Sequence, residues 1–141
     1  MRNFGQSLLQ ITNKFKRQVE KKLMLFDLSD IQGRMLVFIY EESKNKDVFQ
    51  RDIELEFELR ASTVTAILNN LEKKGYLSRV SSNNDQRLKK IVLTSKALDS
   101  IKAIREILDE IEEETFKNLS QTEIKALNVI ISKIDKNTME Y

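Results

Sequence analysis

Cysteine, histidine, proline and tryptophan are absent from this 141-residue chain, and glycine occurs only three times. Without cysteine the protein cannot form a disulfide or sense oxidants through a thiol, and without cysteine and histidine it lacks the usual ligands of structural zinc. The same absence limits catalysis to carboxylates, lysine or an activated serine, and the acidic residues form no clustered motif of that kind. We therefore expect no enzymatic activity, no metal and no cofactor.

Long hydrophobic runs are also absent. The longest uninterrupted apolar run is Met35–Tyr40, whereas a membrane-spanning helix needs about 20 apolar residues. The first residues lack the apolar core of a secretory signal peptide. The sequence therefore predicts a cytoplasmic protein without membrane contact, and its length predicts one domain.

Because proline is absent and glycine is rare, little interrupts helices in this chain. Apolar residues recur at spacings of three and four, which predicts amphipathic helices, and capping-box patterns at Ser29–Gln32 and Ser120–Glu123 mark two helix starts. Met35–Tyr40 is apolar all round, which predicts a central buried helix, with Gly33 allowing the close approach of a neighbour. The six predicted helices are about Asn3–Phe26, Ser29–Ser43, Asp47–Glu56, Ser62–Lys74, Ser95–Asn118 and a last helix from Ser120 onward.

The predicted helix Ser62–Lys74 has short polar side chains on one side. It opens with a serine of the capping type and closes at Gly75, which can adopt the left-handed conformation that ends helices. Short polar side chains reach base edges or phosphates without holding a helix out of the major groove, although for this helix taken alone a solvated surface is the better explanation. The buried stripe is predicted to be Val64, Ile67, Leu68 and Leu71, which leaves Ser62, Thr63, Thr65, Ala66, Asn69 and Asn70 for contacts outside the protein.

A predicted hairpin follows this helix. Tyr76–Val80 and Lys90–Leu93 have the β-branched and apolar composition of strands. The connecting segment Ser81–Lys89 favours turns and carries the cations Arg87 and Lys89. It is predicted to be a mobile loop that follows a phosphate backbone or enters a minor groove. A plain solvated hairpin is the alternative interpretation.

Charge is concentrated in the same part of the chain. The net charge is only +2, but residues 60–96 hold 8 cations and 2 anions, whereas residues 1–59 are balanced and residues 97–141 have a balance of −4. Neutralising phosphates requires such a local excess of cations. Asp85, two residues before Arg87, is predicted to hold that guanidinium in a bidentate pair.

Several short motifs carry a resemblance to a known family. They are Asp52-Ile53, Ser62–Thr65, Leu71–Gly75, Arg79, Asp85-Gln86-Arg87 and Val92–Thr94. In this order and spacing they resemble the MarR family of bacterial transcriptional regulators, and the flanking helices fit that family across nearly the whole chain. Ala66 departs from the family, where a larger polar or basic residue is common, so contact with a thymine methyl is expected there.

The resemblance implies a mainly α-helical fold with a small β-hairpin wing, a winged helix-turn-helix. Residues 1–141 would form one MarR-type domain, with 1–28 and 95–141 as a helical dimerisation region and 29–94 as the DNA-binding region. A homodimer would bind double-stranded DNA at a pseudo-palindromic operator, most often as a repressor, with half-sites about 34 Å apart. The helix Ser62–Lys74 would enter the major groove and the Asp85–Arg87 motif the minor groove.

The site residues follow from this interpretation. The DNA contacts are expected from Gln50, Arg51, Arg60, Ser62, Thr63, Thr65, Asn69, Asn70, Asp85, Arg87 and Lys89. Many relatives also release DNA when a small effector binds, and by analogy alone the pocket residues would be Phe15, Arg34, Phe38 and Tyr40. Aromatic residues at helical spacing are more often simply core. The alternative function is a helical protein–protein interaction module whose basic wing binds an acidic partner and does not distinguish duplex DNA from other polyanions.

Overall fold

The computed structural model describes residues 3–82 and 85–138, and the side chains of residues 85 and 86 lie outside that description. Within these ranges the fold is mainly α-helical with one small antiparallel sheet, which confirms the predicted fold class. No helix in the described part is long and apolar enough to cross a membrane. The elements are α1 (Phe4–Leu23), a 3-10 turn (Met24–Phe26), α2 (Asp30–Ser43), β1 (Val48–Phe49), α3 (Gln50–Phe57), α4 (Ala61–Lys73), β2 (Leu77–Ser82), β3 (Asp85–Leu93), α5 (Ser95–Thr115) and α6 (Gln121–Asn137).

Side-chain caps set the starts of three helices. The Asn3 side chain accepts a hydrogen bond from the Gln6 N–H at 3.0 Å, which fixes the first turn of α1. Both predicted capping boxes are confirmed, because Ser29 and Ser120 each exchange hydrogen bonds with the residue three positions later. The first predicted helix is slightly too long, because its last three residues form a 3-10 turn. This turn ends at Asp27, which has a positive φ.

Helix α2 lies at the centre of the core, as predicted. Its residues Met35, Leu36 and Ile39 are completely buried. Gly33 allows the close approach expected there, because a Cβ at this position would lie 2.7 Å from Leu23 Cδ1 and 3.6 Å from Ile104 Cγ2. Glycine at this position therefore lets α1, α2 and α5 pack at short range.

Helix α3 begins later than the sequence predicts. The predicted helix Asp47–Glu56 was wrong at its start, because Val48 and Phe49 form β1 and pair with Ile91 and Lys90 of β3. A strand of two residues is too short to show any periodicity in the sequence. Helix α3 then starts at Gln50, where the strand ends.

Helix α4 ends as predicted but begins differently. It starts at Ala61 after Arg60, whose extended backbone makes it the N-cap without a side-chain hydrogen bond. Ser62 therefore lies in the first turn and is not the cap, which corrects the prediction. The helix stops at Gly75, whose φ of +85° is the left-handed conformation expected of it.

The wing is more regular than predicted. The sheet order is β1-β3-β2, all antiparallel, with Leu77 opposite Leu93 and Arg79 opposite Ile91. The predicted loop Ser81–Lys89 was wrong, because β2 continues to Ser82 and β3 already begins at Asp85. These polar residues pair across the two strands, with an irregular register near Ser82. The strands are therefore longer than composition alone indicates.

Helix α5 packs into the core as far as Ile111. Ala97, Ile101, Ile104 and Ile111 are buried, whereas Leu98 of the predicted stripe is half exposed. The helix ends at Thr115, three residues before the predicted Asn118, which has a positive φ. The chain forms two compact units, whose boundary falls between Ile111 and Glu112 within this helix.

Candidate nucleic-acid interface

The side of α4 that faces away from the core carries short polar side chains, as the helical period predicts. Ser62 and Thr63 are exposed, and Thr65 is half-buried. Ala66 is also exposed and carries only a methyl group. The helix is held against the rest of the first unit by the fully buried residues Val64, Leu68 and Leu71.

Gln50, the first residue of α3, braces this face. Its Nε2 donates to the Thr65 hydroxyl oxygen at 2.9 Å and to the Ala61 carbonyl at 3.2 Å. The bond to the Ala61 carbonyl, at the start of α4, joins the two helices of the helix-turn-helix. Gln50 was predicted as a phosphate contact, and that role stays a prediction.

Arg79 on β2 links the wing to α4. Its Nη2 donates to Glu72 Oε1 at 2.7 Å and to Asn69 Oδ1, and its backbone N–H donates to Glu72 Oε2 at 3.4 Å. The hydrogen bond from Arg79 is the main reason that the pKa of the Glu72 carboxyl lies below its ordinary value, and the charge of Lys89 adds to this effect. The Glu72 carboxyl therefore stays ionised at neutral pH and remains joined to Arg79.

The sequence-based prediction of the site did not include Arg79 or Glu72. Their separation of seven residues spans the end of α4, the Gly75 turn and the start of β2. Only the reversal of the chain at that turn brings the two side chains together. Both residues lie in motifs that carry the family resemblance, but beyond that the sequence shows only opposite charges on either side of a predicted helix stop, and such pairs are common on protein surfaces.

Asn70 is joined to α2. Its Oδ1 accepts from Gln32 Nε2 at 2.7 Å, and Gln32 Oε1 in turn accepts from Lys74 Nζ and from the Ser29 N–H, each at 3.1 Å. Lys74 Nζ also donates to the Asp27 carbonyl at 2.5 Å. Asn70 thus has a structural partner inside the protein, and its predicted DNA contact stays a prediction.

The cations of the predicted site are spread over three elements. Arg51 on α3, Arg60 before α4, and Arg87 and Lys89 on β3 are all exposed. The proposed pair between Asp85 and Arg87 lies outside the described residues, since the Asp85 side chain is not described. Of these cations, Lys89 lies near enough to Glu72 of α4 for its charge to help lower the pKa of that carboxyl.

The four predicted effector-pocket residues occupy three settings. The Arg34 guanidinium lies 5.2 Å from the centroid of the Phe15 ring and donates to Asp30 Oδ1 at 2.8 Å. Phe38 packs edge-on against Phe57, with ring centroids 5.7 Å apart. Tyr40 has its ring under Lys44 Nζ at 4.7 Å. These contacts are those of partly buried packing residues, and their role in a pocket stays a prediction.

Two cavities lie elsewhere. One of about 480 Å³ is bordered by Glu20, Met24, Asp27, Leu28, Ser29, Gln32 and Lys74. Another of about 270 Å³ lies beside β3 and is bordered by Ser43, Lys46, Asp47, Val48, Lys90, Ile91, Val92, Leu93 and Leu98. Neither includes a predicted effector residue. Among the described residues, no group of three acidic side chains is placed to hold a metal ion.

Comparison with known proteins points to one family. The model described as MarR family matches residues 26–88, from the 3-10 turn through the helix-turn-helix into the wing. Over these residues the chain is similar to the MarR family, and its fold is similar to solved structures of that family's regulators. The proteins that it resembles are transcriptional regulators and not enzymes, in agreement with the expectation from the sequence.

Individual relatives are similar over nearly the whole chain. The chain is 27% identical over 135 residues to the HTH-type transcriptional regulator BilQ of Clostridioides difficile (strain CD3), covering 94% of this chain and 89% of that protein. It matches the S. aureus MepR–DNA complex with a TM-score of 0.91 and 26% identity, covering 99% of this chain and 100% of the other. It matches MarR from Oenococcus oeni PSU-1 with a TM-score of 0.81 and 28% identity, covering 95% and 99%.

Proposed function

We propose that the protein is a sequence-specific DNA-binding regulator that acts in the cytoplasm as a homodimer and represses transcription by occupying a pseudo-palindromic operator. The observation that carries this proposal is the exposed polar face of α4 beside a cationic hairpin. The helix would enter a major groove, and Arg87 and Lys89 would contact the backbone or the minor groove next to it. Double-stranded DNA is the partner that fits both surfaces.

The charge distribution supports a duplex partner. The balance of residues 60–96 is +6, in a chain whose total is only +2. Each phosphate that a Lys or Arg neutralises releases condensed counterions, which makes binding favourable and dependent on salt. The acidic region 97–141 has the opposite balance, so a duplex is expected to contact the middle of the chain alone. The likeness to the MepR–DNA complex supports the same assignment.

The homodimer is proposed from exposed apolar side chains at both ends of the chain. On α1, Phe4 is 72% exposed and Leu9 66% exposed; on α6, Ile131 is 53% exposed. Apolar patches of this kind usually mark an interface between proteins. We assign residues 1–28 and 95–141 to dimerisation and 29–94 to DNA binding, with half-sites about 34 Å apart.

Repression and effector response are the finer parts of the proposal. A dimer that occupies a promoter blocks polymerase, which makes repression the expected effect. An effector would act by preferring a dimer whose two copies of α4 are wrongly spaced for the operator. Phe15, Arg34, Phe38 and Tyr40 remain the candidate contacts for such a small molecule.

The test is binding of the full-length protein to its own upstream promoter fragment and to scrambled duplex of equal length, over a series of salt concentrations. Protection of one dyad-symmetric site is expected for the promoter fragment only. Equal, salt-sensitive binding to both duplexes would contradict sequence-specific regulation and would favour the module that binds an acidic partner.

A charge variant sharpens this test. Lys89→Ala is expected to weaken binding to all sequences and to reduce the salt slope by about 1, because one phosphate contact is lost. Lys102→Ala is the matched control, since it removes an exposed lysine from α5, outside the cationic region. A salt slope that Lys89→Ala leaves unchanged would remove the wing from the proposed DNA contact.

A further inference from the structure

The hydrogen bonds around α4 engage acceptor atoms on its polar face and leave hydrogen-bond donors available for a ligand. We infer that Thr65 and Asn69 read hydrogen-bond acceptors on base edges, and that this selects a keto base, guanine or thymine, on the strand facing each residue. The inference rests on the proposed DNA binding and specifies which sequences the helix selects. Glu72, Arg79 and Gln50 would act as positioning residues for this readout.

The orientation of the Asn69 amide is fixed by chemistry. Arg79 Nη2 donates to it, and a guanidinium carries donors and no acceptor, so the atom facing Arg79 must be the amide oxygen. Glu72 holds the same guanidinium through Nη2 at 2.7 Å and Nε at 3.3 Å. The Asn69 oxygen is therefore engaged by a charged donor, and the amide nitrogen keeps both hydrogens for a ligand.

The Thr65 hydroxyl is set in a similar way. Gln50 faces the Ala61 carbonyl, which can only accept, so the atom at that contact must be the Gln50 amide nitrogen. The same nitrogen lies 2.9 Å from Thr65 Oγ1 and donates to it. This bond occupies one of the two lone pairs of the oxygen, and the hydroxyl keeps its hydrogen for donation to a ligand.

The two donors share one face of the helix. Residues four apart lie one above the other, with Cβ atoms roughly 5–6 Å apart. Successive bases on one strand are about 3.4 Å apart along the duplex axis, so the donors would meet positions about two base pairs apart. Ala66 between them adds no polar atom to the face.

The chemistry of the major groove converts this geometry into a base preference. Guanine presents O6 and N7 and thymine presents O4, all acceptors, whereas cytosine presents an amino donor and adenine presents one amino donor beside N7. Every base pair has one keto base and one amino base. A donor that faces the keto base meets only acceptors, whereas one that faces the amino base meets an amino donor, with N7 as a single acceptor beside it in adenine, so donors favour the keto orientation of the pair. The bidentate contact of asparagine with adenine needs the amide oxygen, which Arg79 engages here.

The experiment is selection of binding sites from a random duplex pool with the full-length protein, comparing wild type with Asn69→Asp and Thr65→Val. Asn69→Asp keeps the shape and the oxygen that pairs with Arg79 but replaces the amide donor by a second acceptor. The preference at one base pair should then change from a keto to an amino base, by about tenfold or more, with the other positions unchanged. Thr65→Val, which replaces the hydroxyl by a methyl group of similar size, should lose the preference about two base pairs away.

A matched control is Asn45→Asp, the same chemical change at an exposed position in the turn after α2. It should keep the wild-type site and report only the effect of an added negative charge. Arg79→Leu tests positioning, since release of the Asn69 oxygen should make adenine acceptable at the Asn69 base pair. Arg79→Lys, which keeps a donor, should restore the keto preference. Thermal unfolding of each variant confirms that it is folded.

The outcomes separate the inference from the function on which it rests. A wild-type protein that enriches no site would overturn the proposed sequence-specific function. A wild-type protein that enriches a site, with Asn69→Asp and Thr65→Val retaining its base preferences, would overturn the donor readout and leave the function standing. A change in only one of the two variants would overturn the assignment for the other residue.

Discussion

Asp52 controls the start of α3 through a single carboxylate. It accepts from the Phe49 N–H at 2.9 Å and from Lys46 Nζ at 3.1 Å. The Phe49 hydrogen bond is the main reason that the pKa of Asp52 lies below its ordinary value, and Lys46 contributes as well. Asp52, three residues after Phe49, thus caps the first turn of α3. Nothing in the local sequence marks it as a capping residue.

This geometry predicts how stability depends on pH. Because the pKa of Asp52 is lower in the folded than in the unfolded protein, its contribution is present above the unfolded value of about 3.9 and is lost as pH falls through the folded value. Asp52→Asn should cost about 1 kcal/mol at pH 7 and less at pH 3, measured by urea unfolding. Asp109→Asn, an exposed carboxylate on α5, is the control. An equal loss at both pH values would contradict the ionic contribution.

At the same scale, the sequence predicted which residues of α4 point outward and not what those residues bind inside the protein. The 3.6-residue period alone places Ser62, Thr63 and Asn69 away from the core. The partners of Asn69 and Thr65, namely Arg79 and Gln50, come from neighbouring elements and depend on how the chain turns at Gly75 and before Arg60. Such contacts depend on the tertiary structure, about which the helical period gives no information.

Among the elements, the long helices were predictable and the short pieces were not. Each long helix repeats its apolar spacing over several turns, and two of them begin with capping boxes. Strand β1 has only two residues and exists because β3 offers it a free edge. The extended β3 follows from pairing with β2 through polar residues, which composition indicated as a loop.

The close packing of α2 against α1 predicts how an added methyl group at Gly33 affects stability. Gly33→Ala places a Cβ 2.7 Å from Leu23 Cδ1, and Leu23 is completely buried, so its side chain has little room to move. Overpacking costs about 1–3 kcal/mol, which exceeds the gain of at most about 1 kcal/mol from better helix propensity. We expect a net loss in the free energy of unfolding, measured by urea titration.

Gly5→Ala is the matched control on α1. Its added Cβ would meet only Asn3 Oδ1, at an ordinary 3.5 Å, so the propensity gain should appear without strain. This variant should therefore be as stable as wild type or more stable. We expect the two variants to change the free energy of unfolding differently, because the close approach is present at Gly33 only. A change in the same direction in both variants would contradict this explanation.

For the whole molecule, the charge distribution and the family motifs predicted a DNA-binding regulator. The proposed homodimer depends instead on apolar surfaces that are exposed in a single chain. Residues 26–88, which the MarR family model matches, contain the proposed reader. The ends of the chain carry the exposed apolar residues of α1 and α6. A sequence pattern marks these residues as apolar helix faces, and it does not distinguish a face that packs within the chain from one that packs on a second copy.

The proposed dimer makes the last prediction. Leu9→Glu on α1 and Ile131→Glu on α6 each place a charge among exposed apolar side chains, so the monomer should fold while the dimer dissociation constant rises about tenfold or more. Leu55→Glu on α3 is the control, because Leu55 is equally exposed, at 65%, but lies outside the proposed dimerisation region. Sedimentation equilibrium measures the dissociation constant, and circular dichroism checks the fold. Because a pseudo-palindromic site needs two linked readers, loss of the dimer should also weaken operator binding, whereas Leu55→Glu should leave self-association unchanged. A wild-type protein that is monomeric at all concentrations, or a dimer that both end variants leave intact, would refute the assignment of residues 1–28 and 95–141 to dimerisation.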